Sequence, residues 1–132
     1  MEFSGPKIRY LLAIAAVSNG QNGIRSVDVA RKLGVSRPSV HRMLGVLAYM
    51  GLIVKEPHRA ARLTARGRAL AAFYQSRFTC LHDFFKRSLG LSEDACGRIV
   101  LAFLACRETR CMDELCNAVR ETETRIQQAR GQ

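Results

Sequence analysis

The chain has 132 residues, enough for one folded domain or two small ones. Its composition, 48% hydrophobic and 24% charged residues, is that of a folded protein and not of a disordered one. No apolar run could cross a bilayer and no secretory signal precedes the five cysteines, so a cytoplasmic protein with reduced thiols and no membrane contact is expected. The net charge of +10 is unevenly distributed. Met1–Gly67 has eleven Lys/Arg and three acids, a charge of +8, whereas the rest of the chain has ten Lys/Arg and eight acids, a charge of +2. This asymmetry predicts a polyanion-binding module joined to a different domain.

Two helices are predicted in the first 34 residues. The first begins near Pro6, which an opening turn tolerates, and ends before Gly20. A loop rich in Gly and Asn follows at residues 19–25, and Ser26 is expected to cap a second helix that Gly34 ends. The residues expected to form the buried stripe of the first helix are Ile8, Leu11, Leu12 and Ala15.

A third helix and a hairpin complete the first predicted domain. Ser36 is expected to cap the helix, Pro38 fits its first turn, and the helix ends near Gly51. Residues 52–63 predict two short strands around a turn at residues 57–60. This order of three helices and a hairpin is that of a winged helix-turn-helix domain. The apolar face of the third helix is predicted to hold Val40, Met43 or Leu44, and Leu47.

Three further helices are predicted in the remainder. Thr64 is expected to cap a long helix that runs through Ser88 and is closed by Gly90, and Ser92 starts a fifth helix that ends near Cys106. The sequence therefore predicts a mainly α protein, a winged helix-turn-helix domain followed by three helices. The sixth helix is expected at Cys111–Gln128, and the expected division is 1–66, 67–128 and a tail at 129–132.

The third helix carries hydrogen-bond donors at its N-terminal end that a purely structural helix would not need. A helix in the major groove uses long donors for guanine edges or phosphates and short ones where the backbone is close. The wing adds donors for flanking phosphates or the minor groove. Each residue alone fits a solvated surface, but the motif order and the charge asymmetry together predict DNA binding, with Arg37 and Arg42 as the strongest candidates. The predicted DNA-binding residues are Ser36, Arg37, Pro38, Ser39, His41 and Arg42 on the helix and His58, Arg59 and Arg62 on the wing.

Five segments in register resemble the diphtheria-toxin-repressor family of metal-dependent bacterial regulators, whose manganese-type members have a similar length. This resemblance implies a homodimer formed through helices four to six, and two winged helices on a palindromic operator in double-stranded DNA. It also implies repression of metal-uptake genes when a divalent ion binds between the domains. The segments are YLLAI (10–14), DVARKLGVSRPSV (28–40), YMGLIV (49–54), LTARGRALA (63–71) and LGLSED (89–94).

The resemblance also locates the metal-ligand positions of the family, and the side chains there are not ligands. The family uses the first helix, an imidazole on the fourth, and a carboxylate or thiol followed by Glu-His on the fifth. Divalent ions need carboxylate, imidazole or thiolate donors, so we expect neither manganese nor iron as a cofactor. The matching positions here are Arg9, Leu12, Phe78, Leu101, Leu104 and Ala105, of which the leucines are expected in the core.

A replacement metal or redox site is a weaker alternative. Cys80 and His82 are two residues apart and do not share a helical face, and no CxxC or HxxxH spacing occurs. Cys111 is the most plausible exposed thiol, and Arg107 and Arg110 are expected to lower its pKa. The candidates on the two helices that frame the family site are Cys80, His82, Cys96 and Cys106.

These observations favour a sequence-specific, homodimeric DNA-binding regulator, a repressor by resemblance, without the metal switch of the family. Two alternatives stay open. One is a winged-helix interaction module that docks another protein through helices four to six. The other is a regulator on the same scaffold that responds to thiol oxidation or to a different metal. No paired carboxylates, phosphate loop or nucleophile–base motif stands out, so we do not expect an enzyme.

Overall fold

The computed structural model describes residues 3–18, 23–106 and 108–131. The part of the predicted loop at residues 19–22 lies outside this description. The described residues confirm the predicted fold class, three helices with a two-stranded antiparallel wing followed by three more helices. In chain order the elements are α1 (Gly5–Val17), α2 (Ser26–Leu33), α3 (Arg37–Tyr49), β1 (Ile53–Val54), β2 (Arg62–Leu63), α4 (Ala65–Leu89), α5 (Glu93–Leu104) and α6 (Thr109–Arg130).

The chain forms two compact units, and the division falls inside α4. The winged-helix unit is Pro6–Phe73, and the helical unit consists of Tyr74–Gln132 together with Met1–Gly5. Across the described ranges, no helix combines the length and the apolar character that crossing a membrane requires.

The core of the winged-helix unit is built from one face each of α1, α2 and α3. In α1, Ile8 and Leu11 are fully buried as predicted, but Leu12 and Ala15 are only half-buried. Ile14 is fully buried instead, because the buried face of α1 is wider than a simple stripe and includes Tyr10 and Ala13. The rest of this core includes Val29, Val40, Leu44, Leu47 and Leu52.

The ends of α2 and α3 follow mostly local signals. Gly34 ends α2 in the left-handed conformation, with φ 66°, and Ser36 caps α3, because its Oγ accepts a hydrogen bond from the Ser39 N–H at 3.2 Å. The predicted cap at Ser26 is wrong. α2 starts one residue earlier, with Arg25 at the cap position and no side-chain cap. The Ile24 N–H donates to the Ala61 carbonyl at 2.6 Å, which fixes the preceding backbone to the wing.

The wing is shorter than the sequence predicts. Ile53 pairs with Leu63 and Val54 with Arg62. The Thr64 N–H donates to the Leu52 carbonyl at 3.0 Å, in the same register as these two pairs. The wing therefore joins directly to the start of α4.

Thr64 caps α4 as predicted and also ties it to the end of α3. Its Oγ1 accepts from the Gly67 N–H at 3.0 Å and donates to the Gly51 carbonyl at 2.8 Å. Gly67 packs directly on the wing backbone: a Cβ added there would lie 2.1 Å from the Leu52 carbonyl oxygen. Only glycine allows this close approach.

The helical unit is built on the facing sides of α4, α5 and α6. Ser92 caps α5 as predicted, since its Oγ accepts from the Ala95 N–H at 3.2 Å. An ion pair of 2.7 Å joins Arg77 on α4 to Asp113 on α6, and Arg87 pairs with Glu123 on the same two helices. The buried side chains of this unit include Leu81, Cys96, Val100, Leu104, Met112, Cys116 and Val119.

Candidate nucleic-acid interface

The whole net charge of the protein lies in the winged-helix unit. Residues 6–73 contain twelve Lys/Arg and two acids, Asp28 and Glu56, whereas the rest of the chain contains nine of each sign. The winged-helix unit thus carries a formal charge of +10 and the helical unit none. Such a concentration on one small unit is the electrostatic pattern of a polyanion-binding surface.

The start of α3 is exposed and carries long cationic side chains. Arg37, His41 and Arg42 are all exposed. Arg37 and His41 are four residues apart and share one row of the helix, and Arg42 lies in the row of Pro38. The cationic donors predicted on the third helix thus lie together on the N-terminal half of α3.

Ser36 and Ser39 have a structural task at this helix start. Their hydroxyls are hydrogen-bonded to each other at 2.8 Å, and the Ser36 Oγ also accepts the cap bond. Ser36 is exposed, whereas Ser39 is half-buried. A phosphate contact by Ser36 would therefore come from a hydroxyl already oriented by the cap, while Ser39 has less access.

On the wing, the two predicted arginines contact an acid that was not among the predicted site residues. Arg59 and Arg62 both form ion pairs with Glu56, at 3.4 Å and 3.7 Å. His58 is exposed at the tip of the turn and has a positive φ of 62°. The sequence signal for these ion pairs is the position of Glu56, three residues before Arg59 and six residues before Arg62.

Arg9, at a ligand position of the resembling family, contacts the protein's own backbone. Its Nη2 donates to the Leu33 carbonyl at 2.9 Å. This carbonyl lies at the C-terminal end of α2, where the helix dipole favours a cation. Arg9 therefore holds α1 against the end of α2, a contact 24 residues apart in sequence that no local pattern predicts.

The other five positions also offer no ligand atom. Leu104 is buried as expected, but Leu101 is half-buried and not part of the core. Phe78 is half-buried and stacks on His82, with 5.4 Å between ring centroids. Leu12 and Ala105 are half-buried. Alkyl, aryl and guanidinium groups do not fit a divalent ion.

His82 lies between two carboxylates of the helical unit. Its Nε2 is 2.9 Å from Glu93 Oε2, and its Nδ1 is 3.5 Å from Asp83 Oδ1. Lys86 also pairs with Glu93, which lowers the pKa of the Glu93 carboxyl and raises the pKa of Lys86 through their hydrogen bond. In residues 3–18, 23–106 and 108–131, no three His, Cys, Asp or Glu side chains form a metal-binding group.

The cysteines divide into buried and exposed thiols. Cys96 is buried and Cys80 half-buried, and burial raises the pKa of the Cys80 thiol. Cys106 and Cys111 are exposed. The predicted low pKa of Cys111 is wrong: its thiol donates to the Glu108 carboxylate at 3.6 Å, and this hydrogen bond raises its pKa. Arg107, one of the two arginines expected to lower it, lies outside the described residues.

Comparison with known proteins finds relatives of part of the chain. The family described as the IclR helix-turn-helix domain matches residues 9–57. The chain is similar to the transcriptional regulator MntR of Escherichia coli O157:H7, with 43% identity over 74 residues, 56% of this chain and 47% of that protein. The chain thus spans about half the length of the curated relatives that it matches.

Two solved structures share the fold. The metal-dependent transcriptional regulator MtsR has a TM-score of 0.71 at 24% identity, over 86% of this chain and 53% of that chain. The hypothetical protein SSo2273 from Sulfolobus solfataricus has a TM-score of 0.63 at 18% identity, over 88% of each chain. At 86% and 88% of the chain, both likenesses extend beyond the winged-helix unit into the helical unit.

Proposed function

We propose that this chain, which belongs to the diphtheria-toxin-repressor and manganese-transport-regulator family, is a sequence-specific DNA-binding transcriptional regulator. The observation that carries the proposal is the exposed cluster of Arg37, His41 and Arg42 at the start of α3, in the unit that holds all of the net charge. The relatives named MntR are transcriptional regulators, which supports a binding role rather than an enzymatic one.

The mechanism follows from the chemistry of these side chains. The N-terminal half of α3 enters the major groove, where Arg37 and Arg42 donate to guanine edges and select the sequence. Arg59 and Arg62 on the wing bind flanking phosphates, and His58 lies at the tip of the same turn. Phosphate contacts add affinity on any sequence, whereas the base contacts add selectivity.

A homodimer is supported by the second apolar face of α5. One side of this helix packs into the core, yet Ile99 and Phe103 on another side remain 38% and 41% exposed. Ala102 is exposed too, so these three residues form a stripe at helical spacing, hereafter the α5 stripe. An exposed apolar surface of this kind favours association. A second copy would supply the second reader that the two half-sites of a palindromic operator require.

We also propose that DNA binding does not depend on manganese or iron. The support is the donor chemistry at the six family ligand positions, where a guanidinium, alkyl groups and one phenyl ring replace carboxylate, imidazole and thiolate. Arg9 in particular places a positive charge where the family places a ligand.

The test is genome-wide capture of the DNA bound by the full-length protein, with and without added Mn²⁺, Fe²⁺ and Zn²⁺. We expect a shared palindromic motif that does not change with Mn²⁺ or Fe²⁺. The variant Arg37→Ala/Arg42→Ala should lose the motif, whereas the matched variant Arg110→Ala/Arg130→Ala, which removes the same charge from the helical unit, should keep it.

Three outcomes would count against the proposal or against one part of it. Full selectivity in the Arg37→Ala/Arg42→Ala variant would show that α3 is not the reading helix. A protein that captures no DNA and sediments as a monomer would favour the protein-interaction module, with a partner protein on the α5 stripe. A motif that appears only after thiol oxidation or with Zn²⁺ would favour the alternative switches.

A further inference from the structure

The wing contains one carboxylate, and it lies against both wing arginines. Glu56 Oε2 is 3.4 Å from Arg59 Nη1, and Glu56 Oε1 is 3.7 Å from Arg62 Nη2. Each guanidinium therefore faces a different oxygen of the same carboxylate. The side chains of Arg59 and Arg62 are 76% and 57% exposed, so a DNA phosphate can reach the same groups.

The backbone of the wing turn holds the pair of Glu56 and Arg59 together. The Arg59 N–H donates to the Glu56 carbonyl at 3.2 Å and closes a four-residue turn with Pro57 and His58 at its centre. The positive φ at the third position, 62° at His58, is what a type II turn requires, and proline is favoured at the second position. The ladder places Arg62 opposite Val54, two residues before Glu56, so the turn and the ladder bring all three charges to one place.

We infer that Glu56 is an internal competitor for DNA phosphate: its carboxylate occupies the wing arginines in the free protein and must be displaced before they bind DNA. This inference rests on the proposed DNA-binding function. A carboxylate and a phosphate both offer two oxygens to a guanidinium, so one can replace the other without a change in the wing backbone. Glu56 thereby limits how tightly the strongly charged unit binds DNA of any sequence.

The size of the effect follows from the exposure of the two ion pairs. In the wild type, DNA binding must break both ion pairs, and an exposed ion pair contributes only a small free energy. Removal of both pairs should therefore tighten binding to random DNA by about twofold to thirtyfold. Because the wing contacts phosphates and not bases, the ratio of affinities for selected and random DNA should stay unchanged. Removal of this one negative charge from the phosphate-binding surface should also steepen the dependence of log K on log salt by about 0.9.

The experiment is a fluorescence anisotropy titration of a labelled random-sequence duplex with the full-length protein, at salt concentrations between about 50 and 200 mM. The test variant is Glu56→Gln. The matched control is Asp28→Asn, which removes the other acid of the winged-helix unit. Thermal melting of each variant shows that the fold is intact. Glu56→Gln should bind random DNA more tightly than both the wild type and Asp28→Asn.

The same substitution in an Arg59→Ala/Arg62→Ala background identifies the cause. The gain from Glu56→Gln should fall there to the level of the Asp28→Asn control. A gain of equal size in both backgrounds would mean a general charge effect, and weaker binding by Glu56→Gln would mean that Glu56 orients the arginines for DNA. Either result overturns the inference.

Failure of this inference differs from failure of the proposed function. A wild-type protein that binds DNA selectively while Glu56→Gln binds no more tightly than Asp28→Asn contradicts the competitor role alone. A wild type and variants that all fail to bind any duplex contradict both.

Discussion

Replacing Gly67 by alanine tests the contact between the start of α4 and the wing. An added Cβ would lie 2.1 Å from the Leu52 carbonyl oxygen and 3.2 Å from Leu63 Cδ2. The nearest atom belongs to the backbone, so no side-chain rotation relieves the clash and α4 must move. That carbonyl also accepts the Thr64 N–H, and Thr64 Oγ1 links Gly67 to Gly51, so a shift strains three hydrogen bonds at once.

The expected cost follows from these contacts. Overpacking costs about 1–3 kcal/mol, and the weakened hydrogen bonds add about 1–3 kcal/mol. The higher helix propensity of alanine offsets about 1 kcal/mol. The net loss is about 1–5 kcal/mol, a large part of the stability of an ordinary domain.

The assay is urea denaturation followed by circular dichroism, at one protomer concentration because self-association shifts apparent stability. Gly45 in α3 and Gly97 in α5 are matched controls, because an added Cβ meets no atom within 4 Å at either position. Gly45→Ala and Gly97→Ala should each stabilise the protein by about 0.5–1 kcal/mol. If Gly67→Ala also stabilises it, the close approach of α4 to the wing is refuted.

Three further predictions concern metal, assembly and thiol chemistry. Mn²⁺ or Fe²⁺ should not raise the melting temperature, whereas a resident ion at a hundred times its dissociation constant would add about 2.7 kcal/mol; a stoichiometric Mn²⁺ requirement for DNA binding would contradict the metal-free proposal. Ile99→Glu/Phe103→Glu should yield monomers in sedimentation, while Ile126→Glu, also at an exposed apolar position, should not; a double variant that stays dimeric removes the α5 stripe from the interface. Glu108→Gln should speed alkylation of Cys111 near neutral pH, because loss of the carboxylate lowers the raised pKa of the thiol; a rate equal to or below that of the wild type would contradict the assigned cause.

Local signals were enough to predict most helix ends. Ser36 and Ser92 cap the helices that follow them, and Gly34 ends α2, because a cap depends on residues three or four apart. Ser26 failed as a cap because the start of α2 is set by the bond between Ile24 and Ala61, a contact between distant parts of the chain.

The candidate interface was predictable in its residues but not in its pairings. The types and spacing of Arg37, His41 and Arg42 follow from one helix, and the structure places all three on its exposed side. The pairing of Glu56 with Arg62 depends on the fold of the wing, and the bond from Arg9 to Leu33 depends on how α1 packs against α2. Sequence periodicity contains no information about such contacts.

The even balance of charge in the helical unit has a consequence for how the protein would be handled in solution. With nine positive and nine negative residues outside the winged-helix unit, two copies joined through the α5 stripe, as proposed, would carry no net repulsion there. Apolar association is not weakened by added salt. Salt that releases nucleic acid from the protein should therefore leave the assembly intact. A single purification step at high ionic strength would yield the free, still associated protein.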